Sequence, residues 1–173
     1  MVRYVICLLL LAGCLPMVGC GYQLSNRPGS SSPLVGKTVF IPLFANRIYR
    51  PQVEAVLTRQ MMEEFAQRSG GLVVSAEEKA ELVVEGAVIG YTTGQVAYSA
   101  TDTAALKRLT LTAEATLRER KSQRIIWKGS LSLFQDYPAV ADLALQQSAQ
   151  EEALRATCRR LAEEFYQQMN GAF

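Results

Sequence analysis

The chain has 173 residues, with 18 Lys and Arg against 16 Asp and Glu, a net charge of +2 and no histidine. So even a balance excludes nucleic-acid binding by bulk attraction. The missing histidine removes the commonest general base and the commonest neutral metal ligand, and with them Ser–His and Cys–His catalysis. Hydrophobic residues at 49% and charged residues at 20% suit a globular domain with a buried core.

At the N-terminus, Arg3 followed by the apolar run Tyr4 to Leu11 matches the charged and hydrophobic regions of a secretory signal, too short to span a bilayer. Small residues then lead to Cys14 and again to Cys20, each a candidate for cleavage and lipid attachment as in bacterial lipoproteins. A plain cleaved signal or an uncleaved anchor is the alternative. Cutting before Cys14 would leave a leader of about thirteen residues, short against the usual 15–30. The reading is therefore a leader over 1–19 and a lipidated Cys20, with Cys14 the runner-up. Neither is followed by aspartate, so retention at the inner membrane is not signalled. Ser25 to Pro33, SNRPGSSSP, is a tether, which makes 20–33 anchor and linker and 34–173 a single domain.

Lys37 to Phe44 alternates Val39, Ile41 and Leu43 against Thr38, Phe40 and Pro42, a strand with an edge or bulge at the proline. Arg47 and Arg50 lie in the loop that follows. Pro51 suits the first position of a helix over 51–69, whose apolar stripe is Val53, Leu57, Met61 and Phe65, with Val56 and Met62 beside it. Gly70 and Gly71 supply a left-handed stop. After the short run Leu72 to Val74, Leu82 to Tyr91 predicts a strand in which Gly86 and Gly90 mark close approach or bulging. Thr92 to Thr103 reads as a flexible connection. Leu109, Leu111, Ala113, Ala115 and Leu117 then alternate cleanly with polar residues.

Glu119 to Gln123 is the turn of a hairpin. Its return strand is Arg124 to Phe134, with Ile125, Trp127, Gly129, Leu131 and Leu133 on one face, ended by Asp136-Tyr137-Pro138. A helix from about 141 to 170 carries Leu154, Cys158, Leu161, Phe165 and Met169 on one stripe and stops at Asn170-Gly171. The order predicts an α+β fold in two layers, two amphipathic helices on the apolar face of a sheet.

Catalytic motifs are missing: no G-x-S-x-G, P-loop or H-E-x-x-H occurs. The carboxylate pairs, such as Glu63-Glu64 and Glu163-Glu164, are sequence neighbours that point apart on a helix. The reading is not an enzyme, without metal or cofactor. Cys158 lies in an apolar stripe and is expected to be a buried structural thiol, and Trp127 and Tyr137 to be packing residues. The one uneven charge distribution is at the hairpin turn, where Arg118, Arg120, Lys121, Arg124 and Lys128 face only Glu119. Such a tip suits phosphates or anionic headgroups, or is a solvated turn that blunts aggregation.

Cys20-Gly21-Tyr22-Gln23-Leu24, the tether, the Val39 to Leu43 strand and the first helix together resemble the lipopolysaccharide-assembly lipoprotein family, LptE. So do the Leu82 to Gly86 strand, the long hairpin, the Phe134 to Pro138 corner and the closing helix. The resemblance spans the chain after its leader, and C-G-Y-x-L directly after the lipid-attachment motif is its most specific part. It implies a lipoprotein of the Gram-negative outer membrane with two helices packed on a roughly four-stranded mixed sheet. It further implies a protein that plugs the β-barrel translocon subunit LptD, assists its assembly and binds lipopolysaccharide, with the N-terminal lipid as its only attached group. On charge alone the lipopolysaccharide candidates are the five cations of the hairpin, Lys128 and Arg124 first. Two other readings stand beside it, an accessory or channel-forming lipoprotein of another envelope or secretion machine, and a lipid-anchored hydrolase that uses carboxylates.

Overall fold

The computed structural model describes residues 34–172 apart from 69, 71 and 99–103. Strands β1 (Val39–Phe40) and β2 (Ala45–Asn46) precede helix α1 (Val53–Arg68). After them come β3 (Val73–Val74), a 3-10 turn (Glu77–Lys79), the long strands β4 (Leu82–Tyr98), β5 (Ala104–Glu119) and β6 (Ile125–Pro138), and helix α2 (Leu143–Asn170). The fold is α+β, as expected. Its sheet has six strands in the order β3-β1-β4-β5-β6, with β2 also on β4. The short strands pair in parallel and the three long ones form an antiparallel meander, so the sheet is mixed.

The expected four strands fall short because the first strand is broken and Val73–Val74 adds another at the edge. Phe40 pairs with Val83 and Ala45 with Ala87, so β1–β2 spends one residue more than β4 over the same length. Pro42 lies in the break, where a residue without an N–H costs no ladder bond. The extra residue reverses which side faces the core. Val39 and Ile41 are buried as expected, but Leu43 is 65% exposed and Phe44 takes the inward place at 2%.

The stretch expected to be a flexible connection is largely strand. β4 continues to Tyr98, with Thr92 opposite Thr110 and Thr93 opposite Leu109. Its β-branched residues suit a pleated ribbon, and the neighbouring strand supplies the ladder. A register shift between Val88 and Gly90 confirms the bulge expected there. On β5 the alternation holds throughout, and Leu109, Leu111, Ala113, Ala115 and Leu117 are each at most 1% exposed. β6 runs past its expected end to Pro138, because Asp136 and Tyr137 find partners opposite Arg108 and Lys107. Ile125 leaves the inner row and is exposed, since the register shifts beside it between Leu117 and Arg118.

α1 starts at Val53 rather than Pro51, because Gln52 adopts φ 70°, outside the helical range. Val53, Leu57, Met61 and Phe65 are fully buried, and Gly70 at φ +81° makes the left-handed stop. Asp142 caps α2 by accepting from the Leu145 N–H at 2.9 Å. Gly171 ends that helix in a right-handed conformation. The two helices pack on each other and on one sheet face, where Phe65 meets Tyr166 and Trp127 meets Phe165 edge to face. The other face carries Thr110, Thr112 and Thr116 in partial contact with solvent and Ser130 and Ser132 exposed to it. No helix among the described residues is long and apolar enough to cross a membrane.

Candidate functional site

The β5–β6 turn is a built structure. Glu119 N–H donates to the Arg124 carbonyl at 2.9 Å, and Gln123 N–H to the Glu119 carbonyl at 2.9 Å. Gln123 stands at φ 59° and its side chain donates to the Arg120 carbonyl at 2.6 Å. The Ser122 hydroxyl donates to the Glu119 carboxylate. That bond, helped by the charges of Arg124 and Lys37, holds the Glu119 carboxyl below the usual carboxylate range.

The five expected cations divide into two groups. Arg118 is committed inside the protein, its Nη2 3.0 Å from Glu77 and 2.6 Å from Glu85, with its side chain only 13% exposed. The hydrogen bond to Glu85 is the main reason its pKa is raised. Arg120 is pinned by its Nε donating to the Ala80 carbonyl at 2.7 Å. Lys121, Arg124 and Lys128 remain exposed. Arg124 is 3.9 Å from Glu119 with a side chain 68% exposed, and Lys128 stands opposite Thr116 on the helix-free face. The structure thus presents three of the five to solvent, close to one turn.

Arg47 and Arg50 border a shallow groove of about 510 Å³ with Tyr49, Ile89 and Tyr91. Arg47 is paired with Glu114 at 2.6 Å, and the Arg50 guanidinium lies 5.6 Å from the Tyr91 ring centre. At the opposite end of β5 from the turn the surface is apolar, a feature the sequence reading missed. Val96, Leu106, Val140, Leu143 and Leu145 are exposed there, Leu143 at 81%. Beside them Arg108 binds Asp136 through Nε and Nη2 at 2.6 and 2.8 Å and lies 3.9 Å from the Phe134 ring centre. A signal was available, for the first turns of α2 hold two leucines upstream of its apolar stripe.

Cys158 is fully buried, and burial pushes its thiol pKa to about 12, so it is no nucleophile at neutral pH. Among the described residues no group of three or more Cys, Asp or Glu converges as metal ligands would. Cys14 and Cys20, with the leader and tether, lie outside the described residues.

Known structures share this fold. The uncharacterized lipoprotein B of Nitrosomonas europaea superposes with TM-score 0.54 at 12% identity over 79% of this chain and 84% of its own. The minor lipoprotein of Acinetobacter baumannii does so with TM-score 0.52 at 14% identity over 79% of this chain and 93% of its own. No curated protein matches the sequence. The family model for LptE, described as lipopolysaccharide-assembly, matches residues 36–169, from the loop before β1 to the last turn of α2, and the chain belongs to that family.

Proposed function

We propose that the protein is an outer-membrane lipoprotein, anchored through Cys20, that plugs and assists the assembly of an LptD-like β-barrel and binds lipopolysaccharide on its way to the outer leaflet. The family match over nearly the whole domain carries this reading. Lipid A presents phosphates and acyl chains, and this surface offers a group for each. Lys121, Arg124 and Lys128 can meet phosphates at the turn without giving up an internal partner, apart from the long contact of Arg124 with Glu119. Arg118 and Arg120 serve instead to hold the turn in place.

A second placement is favoured by the apolar end, where Val96, Leu106 and Leu143 are exposed and Arg108, two residues along β5 from Leu106, lies over the Phe134 ring. Acyl chains gain from apolar contact and phosphates do not. Neutralising the turn therefore separates the two placements. The test of the role itself is a pull-down of the full chain from solubilised outer membranes with mass identification of partners. A large β-barrel supports it. A homo-oligomeric ring or an unrelated envelope partner in place of the barrel refutes it. Mass measurement of the mature N-terminus tests the anchor at Cys20.

A further inference from the structure

The chain enters the described fold at Leu34, which is fully buried. A run of backbone bonds fixes where that entry lies. Lys37 N–H donates to the Leu34 carbonyl at 3.4 Å, and the Thr38 carbonyl accepts from the Glu81 and Leu82 N–H groups at 3.0 Å each. Arg120 N–H in turn donates to the Glu81 carbonyl at 2.9 Å, and the Lys37 charge reaches the Glu119 carboxyl. The entry and the β5–β6 turn therefore share one end of the domain, with the apolar surface of Leu143 and Leu145 at the other. Most carboxylates of the entry end are engaged within the protein. Glu77 is held by Arg118, Glu119 by Ser122 and Glu81 by the Thr38 N–H at 3.2 Å, which leaves Glu78. The cations are freer. Among the described residues Lys37, Lys79 and Lys121 have no ion pair, and Arg124 has only its 3.9 Å contact with Glu119. Lys79, Lys121 and Arg124 are exposed and Lys37 is half-buried.

We propose that this end rests on the leaflet that carries the Cys20 lipid, with Lys37, Lys79, Lys121 and Arg124 against the phosphates of anionic phospholipids. The inference rests on the anchor at Cys20. Residues 21–33 separate that cysteine from Leu34 and span at most about 50 Å when fully extended. The sixteen residues of β5 are themselves about 50 Å long. Standing the domain on its apolar end would therefore require the whole linker to be drawn out straight, against its conformational entropy. Standing on the entry end costs no such extension and brings the free cations within a Debye length of a negative surface, which attracts each of them. The contact is compatible with a plug. A chain seated in a barrel must leave it to place its lipid in the leaflet, and it does so at the end where these cations stand. A lipopolysaccharide phosphate at the turn competes for Lys121 and Arg124, so the two occupants exclude each other there.

The test uses the full lipidated chain in vesicles, without barrel or lipopolysaccharide. Ala144→Cys, exposed in the first turn of α2, carries a fluorescent donor at the far end, since Cys158 is buried and the Cys20 thiol is taken by the lipid. Energy transfer to an acceptor in the headgroups then reports how upright the domain stands. Adding phosphatidylglycerol to about 30% of a phosphatidylcholine vesicle should lower the transfer, and salt at about 0.5 M should restore it. Replacing Lys37, Lys79, Lys121 and Arg124 together with glutamine should abolish the fall. The salt response of the unsubstituted chain reads the same contact without any change to the fold. Transfer that ignores phosphatidylglycerol, or that rises with it as the apolar end settles on the membrane, overturns the proposal and leaves the anchor standing. So does a fall that persists in high salt. A mature N-terminus whose mass shows no lipid on Cys20 overturns both.

Discussion

The ring of Phe44 occupies the space that a side chain on Gly86 would need: a Cβ there would lie 2.3 Å from Phe44 Cε2 and 2.6 Å from the Glu114 carbonyl oxygen. Through this contact the extra residue of β1–β2 becomes core packing, because the shifted parity turns Phe44 inward onto Gly86, a β4 position without a side chain. Gly86→Ala should destabilise the domain by about 1–3 kcal/mol, the usual cost of overpacking. Phe44→Leu in the same chain should recover only part, since the Glu114 backbone still obstructs. Urea unfolding of the two variants checks this, and an Ala variant as stable as the parent would refute the close approach.

Arg118 and the exposed cations should behave oppositely. Arg118→Ala leaves Glu77 and Glu85 without their shared partner, and should cost about 1 kcal/mol, since both carboxylates keep access to water. Replacing Lys121, Arg124 and Lys128 together with glutamine should leave unfolding within about 0.5 kcal/mol of the parent. The same triple variant should weaken binding to lipopolysaccharide roughly tenfold at low salt, with the gap closing as salt is raised. Calorimetric unfolding and a binding isotherm measure the two effects. Unchanged binding moves the phosphate site to the Arg108 end.

Most of the fold was legible where periodicity was strong. The β5 alternation and the stripes of α1 and α2 each report one buried face, and one buried face specifies an element. The break at Pro42 was half-legible: the proline announced a bulge, but parity after a bulge depends on how many residues the partner strand spends, which sequence does not contain. The same holds for the site. Lys128, Arg124 and Lys121 could be grouped because they are close in sequence. That Arg118 is used up by Glu77 and Glu85, 41 and 33 residues away, needed the folded chain. The apolar end escaped notice because helical spacing says which residues share a stripe, not where the sheet beneath it ends.

Cys158 should be silent toward thiol reagents in the folded chain. With a pKa of about 12, its thiolate is about one part in ten thousand at pH 8, and its full burial closes the approach. Iodoacetamide treatment followed by peptide mapping should find Cys158 unmodified in buffer and modified in denaturant. Cys158→Ser should destabilise more than Cys158→Ala, because it leaves a hydroxyl in an apolar stripe. Rapid labelling of the native chain would show that α2 opens there.

The Arg108–Asp136 pair gives the domain an acid-sensitive element. The hydrogen bond from Arg108 is the main cause holding the Asp136 carboxyl below its ordinary range. A carboxyl lowered in the folded state contributes stability above its unfolded pKa, about 3.9, and loses it as the pH falls through the folded value. Asp136→Asn should therefore be less stable than the parent at pH 7, and the gap should begin to narrow as the pH falls below about 4, the unfolded carboxylate's value, closing only below the lower folded value. Both side chains keep contact with water, so the difference should also shrink in high salt. Chemical unfolding at pH 7 and pH 3, each at low and high ionic strength, measures it. A stability gap independent of pH would mean that Asp136 holds the end of β6 through its shape and backbone, and that its charge is incidental.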